Sequence, residues 1–145
     1  MYKIVQKSTG ALGGNGYDGA IYGELTMHSM QKVVNFMTEH CEMDSDSLFI
    51  DVGSGLGKPN FHAAQDPGVR VSVGIELEDI RWQLAMQNLK FVLQAVVDTS
   101  DTQGDKEDTD EDSRLLHGVN FMQGDIFDVI TTVRIDMFQT FDLSL

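Results

Sequence analysis

The stretch Leu48-Phe49-Ile50-Asp51-Val52-Gly53-Ser54-Gly55-Leu56-Gly57-Lys58-Pro59 constrains the fold more than any other part of the chain. Residues 48–52 are β-branched, aromatic or aliphatic apart from Asp51, which predicts a buried strand. Gly53, Gly55 and Gly57 do not prolong such a strand and predict a tight turn. Pro59 then suits the first turn of a helix, where its missing N–H has no partner to lose. A strand that turns through glycines into a helix is the opening unit of a parallel sheet.

The alternation continues downstream. A helix over 59–65 is closed by Asp66-Pro67-Gly68, and Val69 to Glu76 (VRVSVGIE) alternates as a second strand. Asp79 to Val97 has the longest helical pattern, with Ile80, Leu84, Leu89, Val92 and Val96 as buried candidates. Val119 to Met122 reads as a third strand leading into Gly124-Asp125, and Phe141 to Leu145 begins a fourth. Upstream, Met27, Met30, Val33, Val34 and Met37 form an apolar helical stripe that ends near His40. Right-handed crossovers place the strands in the order 3-2-1-4, with helices on both faces. The predicted architecture is α/β: a doubly wound, Rossmann-like domain over 21–145, truncated after the fourth strand. Residues 1–20, with the Gly-rich run STGALGGNGYDGA, read as a flexible lead-in.

Charge is uneven along the chain. The formal net charge is −13, and Asp98 to Asp112 (DTSDTQGDKEDTDED) carries much of it, with Lys106 as its single base. Lacking large apolar residues, 98–113 has nothing to bury and reads as a disordered, solvated insertion. The competing use is an acidic contact for a basic partner. Direct DNA binding through it is disfavoured, because phosphates and carboxylates repel, and the chain shows no basic patch for DNA. No apolar run reaches the roughly 20 residues of a membrane span, and MYKIVQKSTGALGG lacks the apolar core of a signal peptide. Cys41 is the only cysteine, which excludes a disulfide framework and a cysteine zinc site. The four histidines have no ligand spacing, so no metal is expected. The reading is a soluble intracellular protein.

Chemistry concentrates at the strand ends. The loop after the first strand reads GxGxG, not the GxGxxG of a dinucleotide site nor a Walker loop. Glu76, 19 residues after Gly57, ends the second strand, where an acid accepts hydrogen bonds from both ribose hydroxyls of an adenosine ligand. Asp125 follows the third strand, placed to accept from an adenine amino group. Each alone has a bland reading as a turn or a solvated acid. All three at successive strand ends of one sheet point to an adenosine-bearing ligand. GxGxG preceded by Asp51 is the pattern of S-adenosylmethionine sites, whose ligand has no pyrophosphate to hold; an NAD enzyme is the alternative.

Three stretches together resemble one family, the non-SET histone lysine methyltransferases named for disruption of telomeric silencing. They are IYGELT at 21–26, LFIDVGSGLGK at 48–58 and GIELEDI at 74–80, with GDIF at 124–127 in support. The resemblance spans roughly 20–145 outside the acidic insertion. It implies a class I methyltransferase fold, S-adenosyl-L-methionine as cofactor, and methyl transfer to a lysine of nucleosomal histone H-three in the nucleus, as a chromatin regulator. By this resemblance Tyr22, Gly23, Glu24 and Leu25 close over the methionine part of the cofactor. Phe49, Asp51, Gly53, Ser54, Gly55, Gly57 and Lys58 carry the cofactor loop, Glu76 holds the ribose, and Asp125 with Ile126 holds the adenine. Lys58 departs from the family's uncharged residue, a departure unfavourable beside a sulfonium unless the side chain points outward. The family's Asn-containing segment that shapes the lysine channel falls beyond Leu145, so no catalytic residue is assigned. The alternatives are a methyltransferase for another substrate (small molecule, RNA or protein) and a non-catalytic module that keeps the cofactor pocket.

Overall fold

The structure, a computed structural model, describes Tyr2, Lys3, Val5, Gly23 and residues 25–102 and 118–128. Helix α1 (Met27–Cys41) leads into strand β1 (Leu48–Val52). Helix α2 (Lys58–Gln65), strand β2 (Val71–Glu76), helix α3 (Asp79–Thr102) and strand β3 (Val119–Gln123) follow. Thr26 starts α1 as its N-cap, its hydroxyl accepting from the Ser29 N–H at 3.1 Å.

The strands form a parallel sheet in the order β1-β2-β3, with Asp51 opposite Gly74 and Gly74 opposite Phe121. This is the predicted order as far as the described residues reach; the expected fourth strand lies outside them. Alternation along each strand then sorts the side chains into two faces. Phe49, Asp51, Ser72, Gly74, Glu76, Val119 and Phe121 share one of them.

All three helices pack on that one face. Phe61 and Ala64 of α2 meet Ala85 and Val92 of α3, Val119 and Phe121 of β3, and Val5 in one buried cluster. Met30 and Val34 of α1 form a second cluster with Met43, Ala63 and Val69, and Phe49 packs against it. The crossovers that join β1, β2 and β3 thus lie on one face, as the expected order 3-2-1-4 requires, and the crossover to the expected fourth strand lies outside the described residues. Two successive right-handed crossovers that step in the same direction across a sheet must lie on the same side of it. The consequence shows in β1, where Leu48, Ile50 and Val52 on the opposite face are each more than half exposed. Among the described residues, the strand read as buried is covered on one face.

Two boundaries also differ. Helix α3 runs past Val97 to Thr102, so the acidic tract begins as helix; residues 103–117 lie outside the described set. The lead-in expected to be flexible from residue 1 is anchored at its start, where Tyr2, Lys3 and Val5 are helical and Val5 is fully buried. The Tyr2 hydroxyl also lies 3.2 Å from His62 Nδ1.

Candidate functional site

The glycine loop after β1 is held from four sides. The N–H groups of Gly53 and Ser54 both donate to the Ile75 carbonyl of β2, at 2.8 and 3.1 Å. The Gly55 N–H donates to Glu76 Oε2 at 2.8 Å. From α3, the buried Asn88 amide donates to the Leu56 carbonyl at 3.1 Å. Gly57 sits on the Phe121 ring so closely that an added Cβ would lie 2.2 Å from it. Gly53, Gly55 and Gly57 all have positive φ, between 54° and 81°, which L side chains rarely adopt. Gly74 is needed for a related reason: a Cβ there would meet both Phe121 and the Cβ of Ser54 within 3 Å.

Above Gly53 the space is open. A cavity of about 130 Å³ lies there, lined by Gly23, Leu25, Asp51, Gly53, Ser54, Lys58 and Pro59. It is polar in an unusual way. Asp51 Oδ2 and Ser54 Oγ are both buried without a hydrogen-bond partner among the described residues. An unpaired buried polar atom costs about 1–3 kcal/mol, so two such atoms at one cavity are open to hydrogen-bonding groups that enter it. Burial, and secondly the charge of Glu76, push the Asp51 carboxyl up from 3.8 to about 6.

Six of the sequence-derived residues thus meet at one cavity: Gly23, Leu25, Asp51, Gly53, Ser54 and Lys58. Tyr22 and Glu24 lie outside the described residues. Gly55 and Gly57 shape the loop without lining the cavity. Phe49 packs into the α1 cluster. Glu76 is only 4% exposed, and its carboxylate braces the backbone: besides Gly55, it accepts from the Glu78 N–H at 2.9 Å. Arg81 Nη1 lies 3.9 Å from Glu76 Oε1, the oxygen that accepts from Glu78. Asp125 is exposed and accepts from the Phe127 N–H at 2.8 Å, capping a short helical turn; Ile126 beside it is half-buried. Among the described residues, no group of three or more His, Cys, Asp or Glu side chains is arranged to hold a metal.

Sequence reasoning missed three supports of this loop: Asn88, Phe121 and Arg81. Asn88 was the legible one, since it shares a helical stripe with the apolar Ala85 and Val92. A polar residue on a buried stripe needs a specific partner.

With this geometry, residues 15–100 match the family model described as histone methylation protein DOT1. The chain belongs to the DOT1 family. That is the family which 21–26, 48–58 and 74–80 resemble. One relative is a histone-lysine N-methyltransferase, H3 lysine-79 specific, of Kluyveromyces lactis, 31% identical over 74 residues. Another is a protein-lysine N-methyltransferase of Saccharolobus islandicus, 35% identical over 60 residues. These matches cover 51% and 41% of this chain but only 12% and 37% of the respective relatives. Among solved structures, methyltransferases of Thiobacillus denitrificans and Geobacter sulfurreducens, both S-adenosylmethionine-dependent and both in complex with S-adenosylhomocysteine, align at 16% and 15% identity. Their TM-scores are 0.45 and 0.46, with 86% of this chain covered in each case and 36% and 35% of theirs.

Proposed function

We propose that this DOT1-family chain is the S-adenosylmethionine-binding part of a protein-lysine N-methyltransferase. The observation that carries the reading is the pair of unpartnered buried atoms, Asp51 Oδ2 and Ser54 Oγ, at the open cavity over Gly53. A carboxylate and a hydroxyl in that position suit the ammonium end of an amino-acid ligand, and they are a poor seat for a pyrophosphate. Membership of the family and the activities of its relatives support the same choice.

When bound, S-adenosylmethionine supplies an electrophilic methyl group on a sulfonium. The chain's own residues bind and orient. Asp51 and Ser54 take the amino-acid end, and the braced loop 53–57 keeps backbone and cavity in register. Glu76 at the end of β2 backs the ribose position while its carboxylate braces Gly55 and Glu78, and Asp125 and Ile126 after β3 flank the adenine. Gly23 and Leu25 close the cavity from the side of α1, with Tyr22 and Glu24 alongside them in sequence. Such a site accelerates transfer by positioning the methyl group in line with a deprotonated amine.

The substrate we infer is a lysine of nucleosomal histone H-three, which implies a nuclear setting. Calorimetric titration of S-adenosylhomocysteine and of NAD into the chain tests the cofactor, with Glu76→Ala as control. Saturable binding of the first alone, weakened in the variant, is expected; preference for NAD would overturn the reading. Radiolabelled methyl transfer to nucleosomes, and separately to RNA and small-molecule pools, tests the acceptor. Labelling of RNA or small molecules alone would replace the histone with another substrate.

A further inference from the structure

Arg81 is out of place as a helix residue. It lies in the first turn of α3, and a helix N-terminus carries about half a positive charge that favours acids over cations. Its side chain is only 14% exposed, although arginines are seldom buried without a partner. A partner is Glu76, the last residue of β2, whose side chain is 5% exposed. A buried ion pair of this kind is weak support for a fold, because stripping water from both charges offsets their attraction. The pair therefore calls for a role beyond stability.

The geometry of Glu76 supplies one. An ionised carboxylate offers about four lone-pair sites. Oε2 accepts from the Gly55 N–H at 2.8 Å and Oε1 from the Glu78 N–H at 2.9 Å, which leaves about two. Arg81 Nη1 stands 3.9 Å from Oε1, beyond hydrogen-bond length, so it attracts the carboxylate without occupying a remaining site. Two open acceptors on one braced carboxylate match a vicinal diol, and a lone hydroxyl fills only half of them. Burial, and secondly Glu76, push the neighbouring Asp51 carboxyl up to about 6, so the two acids repel. Arg81 sets the opposite charge beside Glu76, and an ionised acceptor binds hydroxyls more strongly than a neutral one.

We propose, resting on the methyl-donor reading above, that Arg81 is a positioning residue for ribose: it holds the Glu76 carboxylate as a double acceptor for the ligand's 2′ and 3′ hydroxyls. Arg81 acts through Glu76 and not on the ligand itself. The site then prefers ribosides to 2′-deoxyribosides, and that preference depends on the Arg81 charge.

Calorimetry on the full chain with S-adenosylhomocysteine and its 2′-deoxy analogue tests this. The wild-type chain should bind the first at least about tenfold more tightly, as a charge-assisted hydrogen bond implies. Arg81→Gln and Arg81→Met should each bring the two affinities within about threefold, chiefly by weakening S-adenosylhomocysteine. Arg81→Lys keeps the charge without the planar fork and should hold the preference above about threefold. Adding Arg81→Gln to Glu76→Gln should cost no further discrimination, because one residue acts through the other. An unchanged preference in Arg81→Gln would overturn the assignment, as would an equal loss for both ligands, or loss of the fold by circular dichroism in both Arg81→Gln and Arg81→Met, each the mark of a merely structural residue. A wild-type chain that binds both ligands equally would overturn it too, while leaving the methyl-donor reading standing. Failure of the folded wild-type chain to bind either ligand would refute that reading and this proposal with it.

Discussion

Replacing Asp51 with asparagine should make the ligand-free chain more stable and a poorer binder. The folded state holds the Asp51 carboxyl at about 6 against an ordinary 3.8, because burial and Glu76 both oppose its charge. The folded chain therefore binds more protons than the unfolded chain between those values, and this group's contribution to stability falls as pH rises through them. At pH 7.5 the full difference is present, about 3 kcal/mol for a displacement of that size. Asparagine keeps the shape and carries no charge, so Asp51→Asn should gain up to about 3 kcal/mol at pH 7.5 and roughly half as much at pH 5. Urea unfolding followed by circular dichroism at the two pH values measures both gaps. Calorimetry in parallel should show S-adenosylhomocysteine bound at least about tenfold more weakly, since an ion-assisted hydrogen bond is lost. A variant no more stable than the parent at pH 7.5, or a gain that does not change with pH, would refute the reasoning. A gain in stability joined to a loss in binding is the signature of a group retained for function.

Other substitutions separate bracing from binding. Glu76→Ala should weaken S-adenosylhomocysteine by about 1.5–3 kcal/mol, because the Gly55 N–H loses its charged acceptor; unchanged affinity by calorimetry would remove Glu76 from the site. Gly57→Ala should cost about 3 kcal/mol or more, from overpacking against Phe121 together with a φ of 81°. Phe121→Leu in that background should restore part of the loss, which a double-mutant cycle in urea would read. Asn88→Ala should cost about 1–3 kcal/mol by leaving the Leu56 carbonyl buried and unpaired, visible as a lower thermal midpoint. Ile50→Thr, on the uncovered face of the sheet, should change stability by less than about 1 kcal/mol. Phe61→Ala in the core should by contrast cost about 3–5 kcal/mol, and similar losses for the two would show that the face is in fact covered.

What was legible in the sequence was local. The glycine loop, the strand before it and the proline after it announce themselves within a dozen residues, and the strand order follows from handedness once the alternation is seen. The family was legible because three separated stretches agreed with it. Coverage of the sheet was not, since LFIDV looks the same whether one face or two are packed; only the direction of successive crossovers decides. The behaviour of Glu76 was half legible. Its place at the end of β2 could be read, but not that Gly55 and Glu78 would occupy its oxygens, because that depends on how the loop curls back over the strand. Val5 sits in a stretch, Lys3-Ile4-Val5-Gln6, too short to show a period, and its burial is a purely tertiary fact.

Phe121 supports Gly57 and Gly74 at once, and this ties three positions on separate elements into one evolutionary unit. A lineage that first gained a side chain at either glycine would meet the ring before any benefit appeared. A lineage that first shrank the ring would open a void beneath the loop. The accessible path is a coordinated exchange, so drift at these positions should be slow and correlated. The ligand loop can therefore be retuned at Ser54 or Lys58, which face the cavity, far more readily than it can be moved.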